Sequence, residues 1–100
     1  MIRIVNARIY KGPGTYIGRP SIFGNPHREG KDGTREECVA KYKIYFDKRY
    51  AEDKTFREAV HALAAQSLVG ELVLICWCDP LPCHGHVIRD FIQYYNEMRR

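Results

Sequence analysis

The sequence has no long hydrophobic run. No segment of the 100-residue chain approaches the roughly 20 consecutive apolar residues of a membrane-spanning helix. Its first residues alternate apolar and polar side chains at Ile2, Arg3 and Ile4, and they lack the apolar core of a signal peptide. We therefore expect an intracellular, cytoplasmic protein that makes no contact with a membrane.

Repeats, low-complexity segments and a polybasic tail are also missing. The glycine-rich stretch is not a Walker loop, because no Gly-Lys-Ser/Thr follows it, and it is not a dinucleotide fingerprint. Cysteines number only four. In a chain with an adequate core and no export signal, we expect them to be thiols, metal ligands or a redox pair rather than disulfides.

Length and composition predict a single domain spanning residues 1–100. Apolar residues make up 45% of the chain, which is enough for one core but not for two. The net charge of +4 and the pI near 9.0 give a weak attraction to polyanions. A basic balance of this size is more often only a soluble surface than a nucleic-acid footprint, but it suits a ligand that carries phosphate.

The first half of the chain predicts two strands, a loop and a helix. β-Branched residues favour a strand over residues 2–9 and a short second one over 15–17, with a long irregular loop over 18–33. Thr34 and Glu37 form a capping-box pattern that opens a helix. Apolar residues then follow at helical spacing on one face: Val39, Tyr42, Phe46 and Tyr50.

The second half predicts a helix, a strand and a helix. Thr55 and Glu58 indicate another helix cap, and Gly70 is placed to end that helix. Its apolar face is expected to hold Phe56, Val60, Leu63, Ala64 and Leu68. An apolar strand over 72–75 follows. The last helix is marked by Val87, Ile88, Phe91, Ile92, Tyr95 and Met98.

This order predicts an α/β fold with a small, largely parallel three-stranded sheet, covered by about three helices in the sequence β-β-α-α-β-α. Because the strand over 72–75 lies between two helices, we expect it in the middle of the sheet, parallel to the first strand. The turn that follows it then lies at the carboxyl edge, where α/β folds usually bind ligands.

Residues 76–86 form that turn and hold three of the four cysteines. A thiol at a helix N-terminus with histidines nearby is typical of a lowered pKa, so we expect Cys83 to be acidified. One interpretation makes Cys83 a nucleophile with His84 or His86 as the base. Helical spacing favours His86, and Asp79 or Asp90 are candidates to orient the histidine.

A second interpretation is structural zinc held by Cys76, Cys78, Cys83 and His84, a Cys3His set. The Cys-x-Cys-x4-Cys-His spacing differs from the usual Cys-x2-Cys knuckle, which speaks against zinc. We therefore place no metal in the favoured interpretation, where Cys78 contributes to ligand binding. Trp77 is expected to pack in the core, with a base-stacking platform as the alternative.

The loop over residues 18–27 is the second candidate site. Arg19 offers paired hydrogen bonds to phosphate or carboxylate, and glycines allow backbone amides to approach an anion. We assign ligand binding here to Gly18, Arg19, Ser21, Gly24 and Asn25. The alternative is a structural loop with Phe23 in the core and a turn at Asn25.

Two motifs carry a resemblance to a known family. Residues 18–26 read Gly-Arg-x4-Gly-Asn-Pro, and residues 76–85 read Cys-Trp-Cys-x-Pro-x2-Cys-His-Gly. With the tyrosine-bearing helix after Thr34, this chain resembles the domain of unknown function 4326 family of small phage and bacterial proteins. The resemblance implies a compact α/β fold and a phage or prophage setting, hence the host cytoplasm, and it transfers no reaction.

We expect the loop around Arg19 and Asn25 to meet the turn around Cys83 and His84 at the carboxyl edge of the sheet. There they would bind a nucleotide or another phosphorylated small molecule, either as a binding protein or as a small enzyme. The sequence does not identify a cofactor. The alternative is a non-enzymatic phage module that binds a host protein or nucleic acid, with zinc holding its C-terminal turn.

Overall fold

A computed structural model describes residues 1–78, 81 and 83–99. The elements follow one another in the predicted order β-β-α-α-β-α. They are β1 (Ile2–Asn6), β2 (Thr15–Tyr16), α1 (Arg35–Glu52), α2 (Lys54–Val69), β3 (Leu72–Cys76) and α3 (His84–Met98). No helix in these ranges combines the length and the apolar character needed to cross a membrane.

The three strands form one parallel sheet in the order β1-β3-β2. β3 is the central strand, as predicted. Ile2 pairs with Leu72 at one end of the β1–β3 register, and Tyr16 pairs with Ile75 in β2–β3. β1 is shorter than expected: the carbonyl of Asn6 accepts the amides of residues 9 and 10, and this turns the chain after five strand residues.

The predicted capping box opens α1. The Thr34 hydroxyl accepts the Glu37 amide at 3.1 Å, and the Glu37 carboxylate accepts the Thr34 amide at 2.8 Å. Together they satisfy two of the amides that a helix start leaves without partners. Tyr42 on the buried face of α1 donates its hydroxyl proton to the Phe23 carbonyl at 2.8 Å, which fixes the long loop to this helix.

α2 begins two residues earlier than the sequence suggested. Asp53 is its N-cap rather than Thr55, because the Asp53 carboxylate accepts the Phe56 amide at 3.1 Å. Gly70 caps the other end, as predicted. Leu68, expected on the buried apolar face of α2, is 65% exposed, whereas Ser67 is buried. The Ser67 hydroxyl accepts a hydrogen bond from the Asn96 side chain of α3.

The core lies between one face of β3 and the helices. Leu72, Leu74 and Cys76 alternate along the strand and join the buried helical residues in a single cluster, as a period of two requires. Val73 points to the other face, where Gly14 approaches it closely. Met98, expected on the apolar face of α3, is 65% exposed because it is the last residue of that helix.

The register places the carboxyl ends of β2 and β3 side by side. Tyr16, the last residue of β2, lies opposite Ile75, and β3 ends one residue later at Cys76. The segments that leave these strands therefore start from the same edge of the sheet. The long loop and the turn before α3 begin there.

Candidate functional site

A pocket of about 220 Å³ opens outside the carboxyl ends of β2 and β3. Three segments form its walls: the loop after β2, the first turns of α1, and the turn between β3 and α3. Ligands in α/β sheets bind in crevices of this kind, beyond the ends of parallel strands. The sequence placed candidate residues on two of these three segments.

The loop after β2 lines the pocket with Gly18, Arg19, Asn25, His27 and Glu29. Arg19 donates from Nη1 to the Asn25 carbonyl at 2.8 Å. The side chain of Asn25 makes two further hydrogen bonds. Its Oδ1 accepts the His27 amide at 2.9 Å, and its Nδ2 donates to the Cys38 backbone carbonyl at 3.2 Å. The Asn25 side chain therefore shapes the loop and ties it to α1.

Ser21 and Gly24, also predicted to bind the ligand, do not line this pocket. The Ser21 hydroxyl accepts the Phe23 amide at 3.2 Å inside the loop. A Cβ at Gly24 would lie 3.1 Å from the Cα of Arg19, so the glycine lets the loop fold back closely on itself. Phe23 is 5% exposed, as the alternative of a structural loop expects.

Arg35, the first residue of α1, is a pocket residue that the sequence analysis missed. Its guanidinium hydrogen-bonds the Cys78 side chain, and this contact, opposed by partial burial, raises the pKa of Arg35. The Nη2 atom of Arg35 also lies 3.4 Å from the Oε1 atom of Glu29, in an ion pair. The only signal in the sequence was its place directly after the capping Thr34, at the end of the glycine-rich loop. Cys38 and Val39 complete the contribution of α1.

Cys83 is the N-cap of α3, as its position suggested, but its thiol is not acidified. Its Sγ accepts the Gly85 amide at 3.3 Å and lies 3.6 Å from the Cys76 Sγ. The hydrogen bond to Cys76, together with burial, raises the pKa of Cys83. The prediction of a lowered pKa was wrong because the hydrogen bond to Cys76 and the burial of the sulfur outweigh the hydrogen bond from the Gly85 amide at the helix start, which lowers the pKa.

His84, rather than His86, lines the pocket together with Cys83. Helical spacing favoured His86, but Cys83 has an extended backbone (φ −147°, ψ 169°), so the i, i+3 rule does not apply to it. His84 is 8% exposed, and its Nε2 lies 2.6 Å from the Ile17 carbonyl oxygen. Burial lowers the pKa of His84, and the nearby Arg19 adds to this effect.

The candidate carboxylates do not orient these histidines within the described residues. Asp90 is exposed and forms an ion pair with Arg89 at 3.0 Å. Asp79 lies outside the residues that the structure describes. The predicted role of His84 or His86 as the base, and the nucleophilic role of Cys83, stay predictions.

Trp77 is not a core residue. It is 55% exposed, lines the pocket, and donates its indole N–H to the Tyr16 hydroxyl at 2.9 Å. The expectation of core packing assumes that Trp77 continues the alternation of side chains between the two faces of β3. The strand ends one residue earlier, at Cys76. The indole is therefore a half-exposed part of the pocket lining.

All four cysteines are free thiols. Among the described residues, no three His, Cys, Asp or Glu side chains are placed to hold one metal ion. Cys76 and Cys83 are adjacent, but Cys78 faces the Arg35 guanidinium. The geometry of the described residues thus gives no support to zinc held by Cys76, Cys78, Cys83 and His84.

Comparison with known proteins gives a family and nothing more specific. No curated protein and no solved structure matches the chain. Residues 3–94 match the family described as Domain of unknown function (DUF4326), in agreement with the two motifs that line or border the pocket. The protein belongs to this family.

Proposed function

We propose that the pocket binds a nucleotide or another phosphorylated small molecule. The observation that carries this proposal is the pairing of two arginines, Arg19 from the loop and Arg35 from α1, in one pocket at the carboxyl edge of a parallel sheet. Two guanidinium groups at such an edge favour an anion, and their planar donors match phosphate as they match carboxylate.

Arg19 has the exposure and donor capacity that a phosphate ligand needs. Its side chain is solvent-exposed, and only its Nη1 hydrogen bond to Asn25 is made within the loop. A guanidinium carries five N–H donors, so Arg19 retains several for a ligand. The contact with Asn25 fixes the direction of the guanidinium before the ligand arrives, which reduces the entropy lost on binding.

The helix ends add to this positive field. α1 begins at Arg35 and α3 begins at His84, and both residues line the pocket. The first-turn amides are partly occupied by Thr34 and by Cys83. The contribution of the helices is therefore that of their positive dipole ends, which favour an anion within about one turn.

His84 supplies an acceptor beside these donors. Because the Ile17 carbonyl only accepts hydrogen bonds, the Nε2 atom of His84 carries the proton, and the Nδ1 atom of the neutral ring keeps a lone pair. A ligand hydroxyl or N–H group is the matching donor. A sugar phosphate or nucleotide offers both an anion for the arginines and a donor for His84.

Calorimetric titration with inorganic phosphate, ribose 5-phosphate and the four nucleoside monophosphates tests the proposal. We expect at least one of these compounds to bind the wild-type protein. Arg19→Ala removes a charge-assisted contact that is typically worth about 1.5–3 kcal/mol, and this should weaken binding by roughly 10- to 150-fold.

Arg3→Ala is the matched control. Arg3 is an exposed arginine of β1 paired with Glu71, which directly precedes β3. The Arg3 variant should bind like wild type. If none of the compounds binds, or if the two variants lose affinity equally, the proposal fails. Binding of DNA or RNA that weakens steeply with salt, with no binding of small phosphates, would favour a nucleic-acid module instead.

A further inference from the structure

We infer that the ligand is a nucleoside monophosphate whose base stacks on Trp77 while Arg19 binds its phosphate. The inference rests on the proposed function and narrows it, because a sugar phosphate without an aromatic ring would gain nothing from this indole. Three features of the site support it: the exposure of Trp77, the hydrogen bonds that hold its ring, and the size of the pocket.

The exposure of Trp77 is the first feature. A tryptophan side chain buries a large apolar area in most folded proteins, yet 55% of this one faces solvent beside the pocket. Tyr16 next to it is 36% exposed. Exposed aromatic side chains beside a positively charged groove are the usual stacking surface for nucleic-acid bases.

The second feature is a hydrogen-bond chain that fixes the indole. Trp77 Nε1 donates to the Tyr16 hydroxyl at 2.9 Å, and the Tyr16 hydroxyl donates to the Arg19 carbonyl at 2.9 Å. The polar edge of the ring is therefore turned toward β2, and these hydrogen bonds hold the ring in place. The same chain connects the stacking surface to the backbone of the arginine proposed to bind phosphate.

Pocket size is the third feature. At about 220 Å³, the pocket is smaller than the roughly 300–1,000 Å³ that encloses a drug-sized ligand. A pocket of this volume suits a small ligand, and the half-exposed Trp77 is one of the residues that line it. We therefore assign to it one base with one phosphate rather than a dinucleotide.

Trp77 is the single tryptophan of the chain, so fluorescence excited at wavelengths where the tyrosines do not absorb reports on this residue alone. We expect AMP, GMP, CMP or UMP to quench it in a saturable way. The tightest of them should bind roughly 5- to 150-fold more strongly than ribose 5-phosphate, the range expected for one base stacked on an aromatic ring.

Two variants separate stacking from folding. Trp77→Leu keeps an apolar side chain and should reduce the affinity for the nucleotide to that for ribose 5-phosphate, as measured by calorimetry. Trp77→Phe restores an aromatic face and should recover most of the preference. Ribose 5-phosphate, which has no base, is the reference ligand in each variant, so the preference is the ratio of the nucleotide affinity to the ribose 5-phosphate affinity of the same variant.

The outcomes distinguish this inference from the proposed function. Equal binding of ribose 5-phosphate and every nucleotide, with Trp77→Leu unchanged, would overturn the inference and leave phosphate binding standing. Nucleosides that quench as well as nucleotides, with Arg19→Ala unchanged, would overturn phosphate binding but support stacking. No binding by any compound would overturn both. Quenching by a single-stranded oligonucleotide alone would overturn the assignment to a free nucleotide.

Discussion

The Nε2 atom of His84 lies 2.6 Å from the carbonyl oxygen of Ile17. This contact joins the first residue of α3 to the residue that follows β2, and so it connects two of the segments that form the pocket. It also fixes the protonation of the ring, because a carbonyl oxygen cannot donate. The orientation of a histidine by a backbone carbonyl is a common way to present its other nitrogen to a ligand.

The tautomer of His84 is the first prediction. We expect the neutral ring to carry its proton on Nε2, with Nδ1 unprotonated. Nitrogen-15 chemical shifts of the imidazole, read from long-range proton–nitrogen correlation spectra, distinguish the two tautomers. A proton on Nδ1 at neutral pH would show that the contact with Ile17 does not exist in solution.

The second prediction concerns stability at mildly acidic pH. Burial lowers the pKa of His84 below its ordinary value of 6.5. The unfolded chain therefore binds a proton at a pH where the folded protein does not, and stability falls as the pH drops below about 6.5 and down through the folded pKa. One proton corresponds to a slope of at most about 1.4 kcal/mol per pH unit.

His84→Gln should reduce this slope, because glutamine keeps an N–H donor for the Ile17 carbonyl and does not titrate. Urea unfolding between pH 5 and 7 measures the effect. The carboxyl groups of Asp32, Glu37 and Asp53 have lowered pKa values through hydrogen bonds to backbone amides. They lose their stabilising effect only at more acidic pH, below this window. An unchanged slope in the variant would contradict the prediction.

Thiol reactivity provides the third prediction. Cys78 is half-buried and lines the pocket, whereas Cys38, Cys76 and Cys83 are buried. Titration with a disulfide reagent should find one fast thiol in the folded protein and four after unfolding, because buried thiols react only when the structure opens. Cys78→Ser should remove the fast phase, and a bound nucleotide should slow it.

The same titration tests the zinc alternative. One zinc per chain, together with a Cys78 that is masked until the metal is removed, would contradict the arrangement in which Arg35 is its partner. A fast phase that persists in Cys78→Ser but disappears in Cys83→Ser would restore Cys83 as the reactive thiol.

Gly85 is the subject of the fourth prediction. A Cβ at this position would lie 2.9 Å from Ile17 Cδ1 and 3.2 Å from Cys83 Sγ, and both side chains are buried. Gly85→Ala should therefore force the first turn of α3 away from the sheet and destabilise the protein by about 1–3 kcal/mol. Gly70→Ala is the control, because nothing lies within 4 Å of a Cβ there and its φ of −176° is open to any residue. Equal unfolding free energies for the two variants would contradict the close packing.

Local rules account for most of the fold. The Thr34–Glu37 box, the ending of α2 at Gly70 and the central position of β3 depend on neighbouring residues or on element order, and sequence reasoning recovers them. The start of α2 was wrong because Asp53 and Thr55 are both good caps. The tertiary structure selects Asp53, because the Nε atom of Arg49 in α1 donates to the Asp53 carboxylate at 3.1 Å.

The site was harder to predict because its properties arise from tertiary contacts. The Cys83 pKa depends on Cys76, which is seven residues away. Arg35 is an ordinary helix-start residue until the fold brings it to Cys78. The exposure of Trp77 follows from where β3 ends. The spacing of residues along the sequence predicts none of these three relationships. In contrast, the order of the strands alone predicts that the loop after β2 and the turn before α3 lie close together.

The most direct test of the central claim is a proton–nitrogen correlation spectrum of the protein titrated with the tightest nucleoside monophosphate. The indole N–H of Trp77 gives a single signal, because the chain has one tryptophan, and the guanidinium Nε–H signals of Arg19 and Arg35 are assignable with single variants. A ligand in the pocket predicts that these three signals shift together along one saturation curve while the Arg3 signal stays in place. Unchanged signals at all three positions at millimolar nucleotide would contradict the account.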